Sequence, residues 1–451
     1  MKSEKLFKEI TKKYEDDYRK RTPKALATTE MARKYMPGGD TRTAIWFWPY
    51  PIWVDKAEGY KLVDIDGNEY IDFHNCYTAM ILGHANPKVV KAIREQVVKG
   101  IAYGALVPDV LRWAELMCQR VASVDKIRFA NSGTEAVMMA IRVARGFTGK
   151  DKVITTEAGY HGSYDTVVYP PSANGLPRSV LADSITVPYN NWEATEKAIV
   201  ENKEDVAAFI LEGMLGAAGQ IPPKDDYLSF LREVTAANDV LLILDEVMCF
   251  RIDYGGFQHI AGIEPDLTTF GKLIGGGLPV GAVGGREDIM KLFAPVSGIF
   301  SAPGERSVHH SGTFNANPLT AVAGIATLEQ FTAEEIARIN KLGEFLAEGI
   351  GKVFTKWNVK GQVTGWGSLQ NVHFSQVPVV DGKTAQNANK DILHLLHLNL
   401  LKRGIFVPER GLFNISTPMT EKEIDTAVKA VDDSMSELRP YIEEIWPELV
   451  V

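Results

Sequence analysis

Three short stretches put reactive side chains where apolar runs stop. Lys272 follows DLTTFG (266–271) and precedes the glycine-rich segment LIGGGLPVGAVGG (273–285). Asp245 ends VLLIL (240–244) and opens Asp245-Glu246-Val247. Asn131-Ser132-Gly133-Thr134-Glu135-Ala136 follows KIRFA (126–130) and leads into strongly helix-forming sequence. An amine at a strand end, partly withdrawn from water, has a lowered pKa and can form a Schiff base with a carbonyl. A carboxylate after an apolar run needs a cation, either in a structural salt bridge or as a protonated ring nitrogen, because an unpaired buried charge is very costly. Small hydroxyl and glycine residues at a helix start leave backbone N–H groups free for an anion such as phosphate, although an ordinary N-cap uses the same residues.

Each of the three has a bland reading alone; together they make one proposal, pyridoxal 5′-phosphate. Lys272 would hold the aldehyde and carry the substrate α-proton. Asp245 would keep the pyridine nitrogen protonated, so that the ring can accept electrons. Ser132, Gly133 and Thr134 would anchor the phosphate. Tyr160, in GYHG after KVITTE (152–157), either stacks on the ring or is a core tyrosine. The glycines after Lys272 would give the backbone room beside the cofactor. A dinucleotide site is the rival reading, and it fails on placement: its glycine fingerprint should open the first strand–helix unit, not come late behind a lysine. A fold that had become a non-enzymatic binding module would be expected to lack Lys272 or Asp245, and both are present.

The elements that must position these residues follow a pattern. Short apolar runs at 126–130, 152–157, 184–189, 206–213, 240–247 and 266–272 alternate with helical stretches, which describes a mostly parallel sheet covered on both faces. Residues 61–73 read as a hairpin turning at Asp66-Gly67. Residues 1–36 read as a charged helical arm ending at MPGG, expected to pack on a partner subunit. The proline-broken aromatic segment 45–54 reads as loop or edge, and 330–451 as a smaller α+β unit.

At 451 residues, two domains are expected. A net charge of −8 argues against general affinity for nucleic acid or an anionic membrane surface. Three cysteines without CxxC spacing indicate neither a zinc knuckle nor a disulfide framework. With no apolar leader and no long apolar run, a cytoplasmic enzyme is the expectation. His309 and His310 lack the spacing of a metal pair, and His84 in LGHANP reads as a turn residue near a subunit interface.

The chain resembles the class III aminotransferases of PLP fold type I over essentially its whole length. The resemblance rests on DIDGNEYIDF (64–73), ILGHANP (81–87), NSGTEA (131–136), YHG (160–162), LDEV (244–247), FGKLIGGGLPVGA (270–282) and GTFNANP (312–318). It implies a large domain over 76–325 with a seven-stranded, mostly parallel sheet between helices. It also implies a small α+β domain built from both termini, 1–75 and 326–451. By the resemblance Val247 presses on the ring face opposite Tyr160, and Thr313 reaches the phosphate of a neighbouring subunit's cofactor, which implies a homodimer.

Relatives by motif include the β-amino-acid (β-phenylalanine) aminotransferases and glutamate-1-semialdehyde aminomutase. Arg42, in MPGGDTRTAIWF, resembles the carboxylate-holding arginine of the former, and Arg410 lies where they place a mobile arginine. Tyr77 and Ala217 stand where the aminomutase has tryptophan and asparagine, and Glu212-Gly213 departs from the Glu-Pro of all these relatives. Arg410 could equally be a surface charge. The five rings of 46–53 could line an aromatic pocket or a subunit interface. The reading is therefore transfer of an amino group between an amino acid, a β-amino acid by this resemblance, and a 2-oxo acid. An aminomutase or a racemase/epimerase is the alternative.

Overall fold

Asp66-Gly67 turns the first hairpin because Gly67 takes φ 91° and Asp64 Oδ1 accepts from Asp66 N and Asn68 N at 3.0 and 2.8 Å. The computed structural model describes residues 2–168, 174–294 and 307–451. The hairpin strands β2 (Lys61–Asp64) and β3 (Glu69–Asp72) join β1 (Val54–Glu58) in a sheet completed near the other end of the chain by β13 (Ile405–Phe406), which runs parallel to β3.

The large sheet uses β4 (Lys126–Ala130), β5 (Lys152–Thr156), β6 (Ser184–Val187), β7 (Val206–Glu212), β8 (Leu241–Asp245), β9 (Leu267–Gly271) and β10 (Gly281–Gly285). Their order is β4-β10-β9-β8-β7-β5-β6, with only β10 antiparallel to its neighbours. Every residue of β7 and β8 is buried, as continuous apolar runs require. The helix Gly133–Thr148 covers one face with Val137, Ala140, Ile141 and Ala144, in one cluster with Ile210 and Ile243. The helix Tyr227–Ala237 covers the other with Tyr227, Leu228 and Leu231, which join Leu211 and Leu244. A third sheet, β11 (Gly361–Trp366), β12 (Leu369–Phe374) and β14 (Leu412–Asn414), lies in the last third of the chain.

The fold is PLP fold type I, as expected, with three differences in detail. β10 is absent from the apolar-run pattern because GAVGG has little to bury; a Cβ at Gly281 would lie 1.9 Å from Ser132 O, and one at Gly285 2.4 Å from Asp266 O. The strand exists because glycine lets it run this close to its neighbours. The N-terminal arm is two helices, Lys2–Arg21 and Pro23–Ala32, and the first buries Ile10, Tyr14 and Tyr18 in the core of its own chain beside the helices Lys390–Lys402 and Glu421–Ile445. Its charge alternation concealed this apolar stripe. The aromatic segment is irregular, as expected, yet Phe47 and Tyr50 are buried within 5.7 and 5.1 Å of Tyr18, and Trp53 Nε1 donates to Thr29 Oγ1 at 2.9 Å. These rings hold the N-terminal helices in place.

Candidate active site

The carboxyl ends of β4, β8 and β9 open into one cleft of about 510 Å³. Lys272, Asp245 and Val247 line it from β8 and β9, Ser132, Gly133 and Thr134 from the turn after β4, and Tyr160 from the loop after β5. Arg42, Tyr77 and Arg410 complete it from both ends of the chain. Sequence positions as far apart as 42 and 410 thus meet at the mouth of one sheet. Thr313 does not. It lines a separate hollow with Tyr103 and Asn315.

Lys272 adopts φ 52°, a left-handed conformation that halts β9 and costs about 1 kcal/mol for a side chain with a Cβ. The amine is half-buried; burial lowers its pKa, against the opposing pull of Asp245 and Glu212. Two of the glycines behind it have a packing role as well. A Cβ at Gly276 (φ 60°) would sit 2.3 Å from Ala323 O, and one at Gly275 2.6 Å from Val280 Cγ1. They let the helix Pro318–Leu328 approach; of the run, Gly277 lines the cleft.

At the start of the helix Gly133–Thr148, Ser132 Oγ accepts from Glu135 N at 3.2 Å and Ser132 O from Ala136 N at 3.0 Å. Thr134 Oγ1 accepts from Ser163 N at 3.2 Å. The cap therefore satisfies the second half of the first turn, and Gly133 and Thr134 line the cleft at a helix start, a place suited to an anion. Val247 Cγ1 would be 3.1 Å from a Cβ at Gly133, so this valine stands directly beside the cradle.

Asp245 is buried and its two oxygens are used differently. Oδ1 accepts from Val247 N at 3.0 Å, and Oδ2 lies 2.8 Å from His161 Nδ1. Burial disfavours the charged form of His161, but the Asp245 hydrogen bond and charge outweigh it and raise the imidazole pKa. Glu212, the last residue of β7, lines the same cleft and accepts from Tyr160 N and Gly216 N, each at 3.0 Å. Burial raises its pKa to about 7. Sequence reasoning gave neither His161 nor Glu212 a role in the site. Glu212 ends β7, the same signal that marked Asp245, whereas His161 lies in the loop beyond β5.

Tyr160 is 58% exposed, which excludes the core-tyrosine reading and leaves its ring free at the cleft wall. Tyr77 donates to Ala44 O and carries the Arg410 guanidinium over its ring at 5.0 Å. Arg410 is thus a cleft residue and not a solvated surface charge; burial lowers its pKa. His84 Nε2 pairs with Asp72 Oδ2 at 2.7 Å, a contact within the chain that fixes the LGHANP turn. Among the described residues no cluster suited to a metal ion exists.

A half-buried amine, a buried carboxylate and an open helix N-terminus around one cleft match the aldehyde, ring nitrogen and phosphate of pyridoxal phosphate. The sequence model of "Aminotransferase class-III" matches residues 46–417. The chain belongs to the class-III aminotransferases. Glutamate-1-semialdehyde 2,1-aminomutase of Methanocaldococcus jannaschii is 38% identical over 417 residues, 90% of this chain and 96% of that protein. An omega-transaminase from Sphaerobacter thermophilus superposes with TM-score 0.87 at 38% identity, covering 92% of this chain and 98% of its own. A β-phenylalanine aminotransferase from Variovorax paradoxus superposes with TM-score 0.89 at 33% identity, covering 96% and 98%. This class-III aminotransferase is a pyridoxal-phosphate-dependent enzyme. No described helix is long and apolar enough to cross a membrane.

Proposed function

We propose that the enzyme moves an amino group from an amino acid, a β-amino acid by preference, to a 2-oxo acid. The observation that carries this reading is the convergence of Arg42, Tyr77 and Arg410 on the cleft that holds Lys272, which the small apolar side chains Ala79 and Ala217 also line. Two guanidinium groups suit a reaction in which both donor and acceptor are carboxylates. Arg42 anchors the reacting substrate's carboxylate, and Arg410 serves the second carboxylate of a dicarboxylic acceptor. Ala217 leaves room for an apolar substituent where a larger polar side chain would not.

Pyridoxal phosphate supplies an electron sink that makes the amine-bearing carbon acidic. The chain does the rest. The Lys272 amine, its pKa lowered by burial, would take the proton from that carbon and deliver one to the cofactor carbon on the far side of the shared nitrogen. Asp245, oriented by Val247 N and His161, would hold a proton at the ring nitrogen. Ser132, Gly133 and Thr134 would hold the phosphate, and Tyr160 and Val247 would confine the ring. Thr313, outside its own cleft, reaches a neighbouring subunit's phosphate, so the working unit is a homodimer.

A second reading, intramolecular amine transfer as in the aminomutases, is favoured by the 38% identity to the Methanocaldococcus protein. The two separate on stoichiometry. With 3-amino-3-phenylpropanoate and 2-oxoglutarate, the aminotransferase reading expects glutamate to appear mole for mole with loss of the donor. Isomerisation of glutamate-1-semialdehyde, with no transfer to any oxo acid, would replace it with the aminomutase reading. The same carbon skeleton returned with inverted configuration would mark a racemase or epimerase.

A further inference from the structure

The chain reaches the cleft at Tyr77 through a turn of the wrong hand. Four consecutive residues, Asn75, Cys76, Tyr77 and Thr78, take φ of 49°, 48°, 52° and 78°. None is glycine. This is a turn of left-handed helix, a conformation that L-residues visit singly because the Cβ crowds the following carbonyl. Asparagine tolerates it best; cysteine, tyrosine and above all the β-branched threonine do not. Strain of this kind persists only where the surroundings over-determine it. The turn begins just after β3 and brings Tyr77 to the wall of the cleft.

The turn does not hold its own hand. Within it Thr78 N reaches His74 O at 3.5 Å and Ala79 N reaches Cys76 O at 3.3 Å, both long; Met80 N to Asn75 O, at 3.1 Å, is of ordinary length. Asp72 Oδ1 accepts from His74 N and Asn75 N at 2.8 and 2.9 Å, which fixes the entry. The remaining restraint comes from the far end of the chain. Asn75 Nδ2 donates to Asn414 O at 2.7 Å, and Asn414 Nδ2 donates back to His74 O at 2.9 Å. Asn414 N also donates to Phe73 O at 2.8 Å. Both asparagines are fully buried. Asn414 ends β14, a short way beyond Arg410, and the stretch between is pinned by Asn371 Nδ2 to Arg410 O at 3.1 Å and Val372 N to Gly411 O at 2.9 Å. One reciprocal amide clasp therefore joins the segment bearing Tyr77 to the segment bearing Arg410, whose guanidinium lies over the Tyr77 ring.

Resting on the reading of Arg42 and Arg410 as carboxylate holders, we propose that Asn414, through its exchange with Asn75, is a positioning residue for substrate selection. It holds the left-handed turn that aims Tyr77 at the cleft, and Tyr77 holds the Arg410 guanidinium where the second carboxylate of a dicarboxylic acceptor meets it. Without the clasp the turn relaxes towards the right-handed conformations that cysteine, tyrosine and threonine prefer, Tyr77 leaves its place and Arg410 loses its platform. The residues assigned to the cofactor's ring and phosphate lie on other elements and keep their positions. Glycine at position 76 would accept φ 48° at no steric cost, so it would let the turn keep its hand without the clasp.

The test measures glutarate binding to the holoenzyme by calorimetry and cofactor affinity by absorbance titration. Asn414→Ala should weaken glutarate binding by at least about tenfold, the worth of a misplaced guanidinium, and leave cofactor affinity as in the wild type. Cys76→Gly alone should bind glutarate as the wild type does. In Asn414→Ala/Cys76→Gly the affinity should return to within about threefold of the wild type, a recovery that a merely structural asparagine would not give. Should Asn414→Ala fail to fold, Asn75→Ala, which removes the bond to Asn414 O, is read in the same way. Unchanged glutarate binding in the clasp variant overturns the inference, as does an equal loss of cofactor affinity or a loss that Cys76→Gly does not relieve. Glutarate binding needs no turnover, and transfer from 3-amino-3-phenylpropanoate is assayed alongside, so failure of the proposed reaction and failure of the clasp are read separately. A wild-type holoenzyme that does not bind glutarate refutes both the carboxylate role of Arg410 and the inference built on it.

Discussion

Glu212 and Asp245 stand side by side on neighbouring strands, paired in register, yet their surroundings differ. Asp245 has His161 beside it. Glu212 has two backbone N–H donors, and burial still raises its carboxyl from 4.5 to about 7. An acid that binds its proton more tightly when folded favours the folded state fully below its unfolded pKa, and that contribution is lost as pH rises from about 4.5 to about 7. Glu212→Gln should therefore lose less thermal stability than the wild type across that window, measured by Tm at fixed ionic strength. An unchanged pH slope would mean that Glu212 stays ionised in the fold. At this scale Lys272 and Asp245 were legible because burying a charge at the end of an apolar run is costly unless chemistry uses it. Glu212 stands out in the sequence only as a departure from Glu-Pro. His161 within YHG gives no signal of its own, since one histidine in a loop carries no period and no spacing.

Among the elements, β10 is the strand that apolar patterning could not find. Three glycines among five residues bury little and carry weak strand propensity; their role appears only against Ser132 O and Asp266 O. Because Gly281 abuts the turn that begins the helix Gly133–Thr148, the strand and the phosphate cradle are mechanically joined. Gly281→Ala should weaken pyridoxal phosphate binding by at least about tenfold and destabilise the apoprotein by about 1–3 kcal/mol, as other overpacking changes do. Absorbance titration of the apoenzyme with cofactor checks the first effect and denaturant unfolding the second. Cofactor affinity equal to that of the wild type would show that the cradle tolerates displacement. The parallel strands, by contrast, were legible almost to the residue, since strands buried on both faces must be continuously apolar.

For the whole molecule, charge patterning misled where hydrophobic patterning did not. The first twenty residues look like a solvated arm, yet Ile10, Tyr14 and Tyr18 fall on one face and dock beside helices from the far end of the same chain. Contacts of such sequence separation leave no local trace. The same limit applies to Arg410, whose approach to Tyr77 depends on the return of β13 to the N-terminal sheet. Thr313, which lines a hollow apart from its own cleft, is the residue that ties the proposed chemistry to assembly. Light scattering should give a mass twice the 49.8 kDa of one chain. Thr313→Ala should lower cofactor affinity without altering that mass; a fully active monomer would contradict the shared site.

The central claim is that Lys272 is the residue to which the cofactor is joined. Borohydride reduction of the holoenzyme followed by peptide mass mapping tests it directly. One reduced adduct is expected, on the peptide containing Lys272, and none in Lys272→Ala. An adduct on another lysine, or a wild-type protein that takes up the cofactor and gives no adduct, would contradict it.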